Sequence, residues 1–155
     1  MRKPAKKKVA RKPKFDHEYN AGVLVVNQQY EILAVSRQKH VLAAKWIYDW
    51  GLPGGHQQLG DVPVQTASRG LYEKTGISCH ALQPLITVPG DQTPDGLPYY
   101  VYVPAAPWYG KKVPYTPAGV PRWVTVQRFL DVADPRHSVR DSNRYILFWG
   151  MRWPV

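Results

Sequence analysis

The sequence predicts an α/β fold of the α+β kind, with a mixed β-sheet, helices packed against it and a basic N-terminal arm. Short β-branched runs are separated by turn residues, and one segment between them carries both a helix-start and a helix-stop signal. A second helical segment closes the chain, so the order is strands, helix, strands, helix. The 155 residues, 44% of them apolar, suffice for one domain with its own core.

The first strands are predicted ahead of the central helix. Val23–Val26 and Ile32–Val35 are β-branched runs on either side of a turn that starts at Asn27, and this pattern indicates a hairpin. The apolar and aromatic segment 44–52 follows and leads into the Pro-Gly-Gly turn signal of residues 53–55. These signals place a hairpin and a tight turn before the helix.

The central helix is predicted over residues 62–75. Pro63 suits a first helical turn, where its missing N–H leaves no bond unmade, and Asp61 is a candidate N-cap. Gly76 occupies the position after the last turn, where a left-handed backbone conformation commonly ends a helix. The segment therefore has a defined start and a defined stop.

The second half of the chain is rich in proline. Nine of the 15 prolines lie between Pro84 and Pro121, which favours loops and edge strands over helix in that stretch. A C-terminal helix is predicted over 141–153, with Asp141 or Ser142 as its cap. The other predicted elements are strands over Leu82–Val88, Tyr99–Val103 and 121–124 and a helical turn over Val126–Val132.

Positive charge is concentrated at the N-terminus. Residues 1–14 hold eight of the 21 lysines and arginines and no acid, whereas residues 15–155 carry 13 basic and 11 acidic side chains. Cations that meet phosphates release condensed counterions, so we expect a nucleic-acid-binding arm over 1–14 ahead of a folded domain over 15–155. RNA and a nucleoprotein assembly are the favoured partners, and a nuclear import signal or a solubility tail are the alternatives. The cations of the arm are Arg2, Lys3, Lys6, Lys7, Lys8, Arg11, Lys12 and Lys14.

The sequence also argues against several classes of protein. No apolar run approaches the roughly 18 residues that span a bilayer. The Lys-rich start lacks the apolar core of a secretory signal. Cys79 is the single cysteine, which excludes an internal disulfide and a cysteine-based zinc site. We expect a cytoplasmic protein, or a nuclear one in a eukaryotic source, with no membrane partner.

Residues 50–77, which read WGLPGGHQQLGDVPVQTASRGLYEKTGI, have the spacing of a catalytic motif. Gly55 is followed by five residues and then Asp61, and seven more residues lead to Arg69. Residues 55–77 thereby resemble the Nudix box of the Nudix hydrolase superfamily, whose members cleave nucleoside diphosphates linked to another group. The resemblance implies an α/β/α sandwich, a nucleotide ligand and, in an active enzyme, Mg²⁺ or Mn²⁺ as cofactor.

Three positions of this box decide its chemistry. In the family, glutamates at the positions of Gly70, Glu73 and Lys74 coordinate the metal, and the i, i+3, i+4 spacing puts them on one helix face. Here two of the carboxylates are absent, and one of these is replaced by a cation that would repel a divalent ion at close range. We therefore expect weakened or lost hydrolysis. Glu73 is the catalytic and metal-binding candidate, and an ordinary helix carboxylate paired to Lys74 or Arg69 is the alternative interpretation.

An active hydrolase of a nucleotide pyrophosphate or a capped RNA is the alternative. Metal ions would then neutralise the diphosphate while a carboxylate orients or deprotonates water. Such an enzyme would use Glu73 and a carboxylate from a later loop. Asp91, Asp95 and Asp131 are the candidates for that second carboxylate, and no motif distinguishes them.

The other box residues have structural or ligand-binding roles under this resemblance. Asp61 and Arg69 are expected to form a salt bridge that holds the loop against the helix. Gly55, His56 and Lys74 are candidates for nucleotide or pyrophosphate binding, and the Lys74 ammonium would meet a pyrophosphate in place of the missing ion. An ordinary loop histidine and a solvated helix lysine are the alternative interpretations of the last two.

Histidines and aromatic residues outside the box belong to no recognised motif. The histidines show no ligand spacing, so no metal cluster is predicted from His17, His40, His80 and His137. Core packing or base stacking would suit Trp46, Tyr48 and Trp50. Single-stranded nucleic acid or a protein interface would suit the later loop with Trp108, Tyr109, Lys111, Lys112 and Tyr115.

Overall fold

The fold contains two β-sheets in this computed structural model, which describes residues 15–42, 45–106, 121–131 and 138–152. The first sheet consists of β1 (Asn20–Val23), β4 (Gly54–His56), β5 (Leu82–Val88) and β6 (Tyr99–Pro104), in the order β4-β1-β6-β5. The second sheet consists of β2 (Ile32–Leu42), β3 (Lys45–Gly51) and β7 (Pro121–Val124), in the order β3-β2-β7. Strand β1 is parallel to β6 and antiparallel to β4, so the first sheet is mixed.

Helices cover both faces of the first sheet. They are α1 (Pro63–Thr75), α2 (Val126–Leu130), α3 (Ser138–Tyr145) and a π-helical turn over Ile146–Gly150, and a 3₁₀ turn spans Gly90–Gln92. Within the described ranges, no helix is long and apolar enough to cross a membrane. The predicted α/β class with a mixed sheet is confirmed. The predicted basic arm, residues 1–14, lies outside the described residues.

The two cores follow from the alternation of side chains along a strand. Ala21, Val23 and Val25 are buried in the core that α1 covers, whereas Leu24 between them is buried in the opposite core. The opposite core is completed by α2 and by the π-helical turn, which contribute Phe129, Ile146 and Leu147. Alternate side chains of this segment therefore point to opposite faces of the sheet, and helices pack against both faces.

Helix α1 confirms the predicted central helix but not its predicted cap. The helix begins at Pro63, and Gly76 ends it with a φ of 74° in the left-handed region. Val62 is the N-cap residue, and its backbone N–H donates to the side chain of Gln65 at 3.0 Å. Asp61 is not the cap, because its carboxylate is held by other partners that are described below.

The predicted hairpin is confirmed only at its turn. The Asn27 side chain accepts hydrogen bonds from two backbone N–H groups in the turn, and one antiparallel bridge joins Val26 to Ile32. Beyond that bridge, β1 and β2 enter different sheets. Because β4 and β6 occupy both edges of β1, no edge of β1 is left for β2.

The C-terminal helix begins and ends earlier than predicted. Helix α3 starts at Ser138, so Asp141 and Ser142 lie inside the helix and not at its cap. The helical segment ends at Gly150 after the π-helical turn. Arg152 has a φ of 59°, in the left-handed region, and this backbone conformation is incompatible with continuing the helix.

Candidate functional site

A cleft of about 370 Å³ is walled by both sheets, the last turn of α1, the loop before β6 and the C-terminal helical segment. All three residues predicted to bind a nucleotide, Gly55, His56 and Lys74, line this cleft. Its other polar side chains include Asn20, Ser36, Asp95 and Asn143. The cleft is therefore the place where the box residues and the rest of the fold meet.

Gly70 brings α1 into direct backbone contact with β4. Gly70 is buried, and a Cβ in its place would lie 2.5 Å from the Cα of Gly54 and 2.7 Å from the Gly54 carbonyl oxygen. The backbone of a paired strand cannot rotate aside as the end of a flexible side chain can. The first metal-binding position of the box therefore has room for glycine alone, and a family glutamate would require β4 to move.

Glu73 and Lys74 point in different directions from α1, as neighbours about 100° apart on a helix do. The Glu73 side chain is 51% exposed, and its Oε1 lies 3.9 Å from Nε of Arg69. Glu73 is not among the residues that line the cleft, whereas Lys74 is. The three box positions thus offer no set of oxygens on one face, and they do not fit the divalent ion that the family binds there.

Asp61 and Arg69 form a bidentate salt bridge. Nη1 of Arg69 donates to Oδ1 of Asp61 at 2.9 Å and Nη2 donates to Oδ2 at 2.5 Å, and the Asp61 side chain is only 11% exposed. The same carboxylate accepts from the Thr66 hydroxyl at 2.9 Å and from the Gln58 backbone N–H at 2.8 Å. The hydrogen bonds from Arg69 hold the pKa of Asp61 well below its usual range. Together these bonds tie the loop before α1 to the helix, which is a structural role.

A cluster of polar side chains lies beside the cleft, where β1 is flanked by β4 and β6. Oδ1 of Asn20 accepts a hydrogen bond from Nδ1 of His56, and Nδ2 of Asn20 donates to Oδ2 of Asp95 at 2.6 Å. His17 lies in the segment before β1, with its Nε2 3.8 Å from Oδ2 of Asp95. His17, whose spacing in the sequence predicts no metal cluster, therefore lies close to His56 and Asp95. Because β1 pairs with both β4 and β6, these residues lie close together although they are far apart in the sequence.

Asp95 is distinguished from the other two later-loop carboxylates by its position. In the part of the chain that the structure describes, it lines the cleft and Asp91 and Asp131 do not. Burial by itself would raise the pKa of Asp95, but hydrogen bonds from Asn20 and from the Leu97 backbone N–H outweigh it and lower the pKa. Asp95 is therefore held ionised, which suits a role in binding a cation.

The remaining sequence candidates lie away from the cleft or outside the described residues. Trp50 is buried in the core, and its carbonyl oxygen accepts a hydrogen bond from Asn143 at 3.2 Å. His80 is exposed and hydrogen-bonds to Ser78. The candidates that lie outside the described residues or side chains are His40, Trp46, Tyr48, His137, the segment Trp108–Tyr115 and residues 1–14.

One family matches the sequence over most of its length. The family model of the NUDIX domain matches residues 16–149. No curated protein sequence matches the chain significantly. The match spans the box, both sheets and the C-terminal helical segment, so it covers all the elements that form the cleft.

Several solved structures share this fold at low sequence identity. The NUDIX domain of Shewanella oneidensis NrtR, complexed with ADP ribose, has a TM-score of 0.57 and 20% identity, over 84% of this chain and 89% of that one. A MutT structure, from work on Aliivibrio salmonicida and Vibrio cholerae, has a TM-score of 0.56 and 19% identity, over 81% and 94% of the two chains. An Ap4A hydrolase from C. elegans, in a binary complex, has a TM-score of 0.52 and 16% identity, over 82% and 97%. At these identities the likeness concerns the fold.

Proposed function

The chain belongs to the NUDIX domain family, and we propose that it binds a nucleoside-diphosphate-linked ligand in its cleft while metal-dependent hydrolysis is weakened or lost. The position of Lys74 is the single observation that carries this proposal. Lys74 lines the cleft at a box position where the family has a metal-binding glutamate. A lysine ammonium is a compact charge that binds phosphate directly.

Reduced hydrolysis is supported by the other two box positions. Gly70 offers no ligand atom, and its contact with Gly54 leaves no room for a longer side chain. Glu73 faces Arg69 and solvent, away from the residues that line the cleft. The carboxylates that would hold an ion against a diphosphate are therefore missing from the box.

Ligand binding is supported by the composition of the cleft wall. Gly54 and Gly55 expose their backbone to it without side chains, so a phosphate can approach the main chain closely. Tyr99, which is partly exposed, adds apolar surface on which a sugar or base can pack. The related fold of NrtR was solved with ADP ribose, a ligand of this chemical class. We therefore infer a phosphate end at Lys74 and a nucleoside end toward the apolar wall.

Calorimetric titration with ADP ribose and with ADP tests this proposal. Lys74→Gln should weaken binding by about tenfold or more, because a charge-assisted hydrogen bond contributes about 1.5–3 kcal/mol. Lys74→Arg should retain most of the affinity. Arg122→Gln is the control, because it removes an exposed cation on β7 that does not line the cleft. An unchanged Kd in Lys74→Gln, or no binding of either ligand by the parent, would contradict the proposal.

Retained hydrolysis is the second candidate function, and the position of Asp95 favours it. Asp95 is a carboxylate from a later loop, and it lines the same cleft as Lys74. A hydrolase of a nucleotide pyrophosphate or a capped RNA would combine this carboxylate with Glu73 and would require Mg²⁺ or Mn²⁺. This candidate would be favoured over ligand binding without hydrolysis if the parent protein shows measurable turnover and both Asp95→Asn and Glu73→Gln lose it. The melting curves of the two variants should match that of the parent.

Association with nucleic acid through residues 1–14 is a further part of the proposed function. Its support is the composition of the arm, which holds eight cations and no acid, against a near-neutral remainder of the chain. Contacts of this kind are made to phosphates and are independent of base sequence. RNA within a nucleoprotein assembly is the partner that we infer.

A further inference from the structure

We propose that His17, His56 and Asp95 bind a transition-metal ion of the zinc type at the edge of the cleft. One donor atom from each residue lies within 4.8 Å of the other two. Two imidazoles and one carboxylate are a donor set that Zn²⁺ and Fe²⁺ accept, and it differs from the all-oxygen set that Mg²⁺ prefers. None of the three is a metal-binding position of the box, and the site does not depend on the proposed nucleotide ligand.

The first sheet holds the three donors together. His56 is the last residue of β4, His17 lies just before β1, and Asp95 lies in the loop before β6, and β1 pairs with both β4 and β6. The two imidazole centroids are 4.5 Å apart, and Nε2 of His17 lies 3.8 Å from Oδ2 of Asp95. A tetrahedral ion bonded at 2.0–2.2 Å separates its ligand atoms by about 3.4 Å. Small rotations of the side chains would therefore complete the site.

His17 gives an independent indication that a partner belongs here. Its Nε2 atom is shielded from solvent and has no hydrogen-bond partner among the residues that the structure describes. A buried polar atom without a partner is destabilising, because the hydrogen bonds that it made to water are not replaced. The carboxylate of Asp95, at 3.8 Å, is too distant to form a hydrogen bond with it. An ion between these two groups would satisfy both.

Asn20 orients two of the three donors. The ionised carboxylate of Asp95 can only accept hydrogen bonds, so the Asn20 amide nitrogen faces it and the Asn20 oxygen faces His56. Nδ1 of His56 must then carry the proton that it donates, which leaves the lone pair of the neutral ring on Nε2. Histidine ligands of metals commonly donate their second ring nitrogen in this way. Asn20 is therefore a positioning residue for the site.

The proposed ion would face the cleft. Three protein ligands leave a coordination position for water or for an oxygen of a bound anion. His56 and Asp95 are exposed and line the cleft that Lys74 also lines. An ion at this edge would add positive charge to the cleft that Lys74 also lines, and its ligands would not be metal-binding positions of the box. It would attract the same class of phosphate-containing ligand as Lys74 does.

Titration of the metal-free protein tests the site directly, with Zn²⁺ followed by calorimetry and Co²⁺ followed by visible absorption. We expect one ion per chain. Asn20→Ala should weaken binding by about 10- to 100-fold, the usual effect of losing a partner of a metal ligand, and His17→Ala and Asp95→Asn should weaken it further. His80→Ala and Asp91→Asn are matched controls, because both residues are exposed and lie outside the cluster.

The controls should bind the ion as the parent does, and melting curves of the metal-free variants check that each is folded. Equal Zn²⁺ affinity in the parent and His17→Ala would overturn the proposal. An equal loss in His80→Ala, or no binding by the parent, would overturn it as well. Mg²⁺ at matched concentration should not displace Co²⁺, and displacement would show a hard-cation site in place of the zinc-type site proposed.

Discussion

Gly70 and Gly54 touch backbone to backbone, since a Cβ on Gly70 would lie 2.5 Å from the Cα of Gly54. This contact brings α1 against β4 at the centre of the box. It removes the first metal-binding position of the family by packing, and not only by the identity of one side chain. Replacing Gly70 by glutamate would therefore not by itself rebuild an ion site, because β4 occupies the space that the side chain needs.

Gly70→Ala is expected to lower the free energy of unfolding. Overpacking against a backbone costs about 1–3 kcal/mol or more, whereas the better helix propensity of alanine would contribute about 1 kcal/mol in the opposite direction. Urea unfolding measures the difference. Gly55→Ala is the control, because a Cβ at that position has no heavy atom within 4 Å apart from those of the glycine and its two chain neighbours. A Gly70→Ala variant as stable as the parent would show that the contact is looser than described.

The Asp61–Arg69 salt bridge should appear as a coupling energy in a double-mutant cycle. Asp61→Ala is expected to cost about 1–3 kcal/mol, because a partly buried carboxylate loses its hydrogen bonds and leaves Arg69 without its main partner. Thermal or urea unfolding of Asp61→Ala, Arg69→Ala and the double variant gives the coupling. Strictly additive losses would mean that the two side chains do not interact in solution.

The same salt bridge should make stability depend on pH in the acid range. The pKa of Asp61 is lowered in the folded protein, so its contribution is fully present above the unfolded pKa, about 3.9, and is lost as the pH falls toward the lower folded value. The stability difference between the parent and Asp61→Asn should be constant from about pH 7 to pH 5 and should narrow below about pH 4. A difference that does not change down to the acid-unfolding region would contradict the lowered pKa.

Hydrolysis of nucleoside diphosphate derivatives should be very slow with Mg²⁺ or Mn²⁺ present. Of the three metal-binding positions of the box, only that of Glu73 has a carboxylate, and Glu73 does not line the cleft. Turnover should be far below the roughly 1 per second at the low end of ordinary enzymes. A phosphate-release assay over a panel of dinucleotides and nucleotide sugars measures it. Turnover near that value that disappears in Glu73→Gln would establish an active box.

The basic arm should carry most of the affinity for nucleic acid. If about five of its eight cations meet single-stranded phosphates, the log–log salt slope of binding would be near −3.5. Deletion of residues 1–14 should remove most of this slope and leave the melting temperature nearly unchanged. Labelled RNA and DNA titrated at several salt concentrations provide the comparison. Equal affinity and equal slope in both forms would show that the arm is not the binding element, and the segment Trp108–Tyr115 would be the next candidate.

The fold was largely predictable from the sequence, and the candidate site only in part. Gly76 marked the helix end correctly because a C-terminal stop depends on local backbone conformation. The predicted hairpin was confirmed only at its turn, because an alternating pattern specifies which face of a strand is buried and not which strand pairs with it. The box spacing correctly predicted that Lys74 lies on a helix. It did not predict the direction in which the neighbouring Glu73 side chain points.

Local patterns were sufficient to establish the family, the α/β class and the residues of the box, because caps, turns and motif spacing depend on neighbours along the chain. The three-dimensional arrangement was needed to show that Lys74 lines the cleft, that Gly70 abuts Gly54, and that His17 lies beside Asp95. These relations depend on the pairing of β1 with β4 and β6, which joins segments far apart in the sequence. No local periodicity carries that information, because pairing is selected by the packing of the whole core.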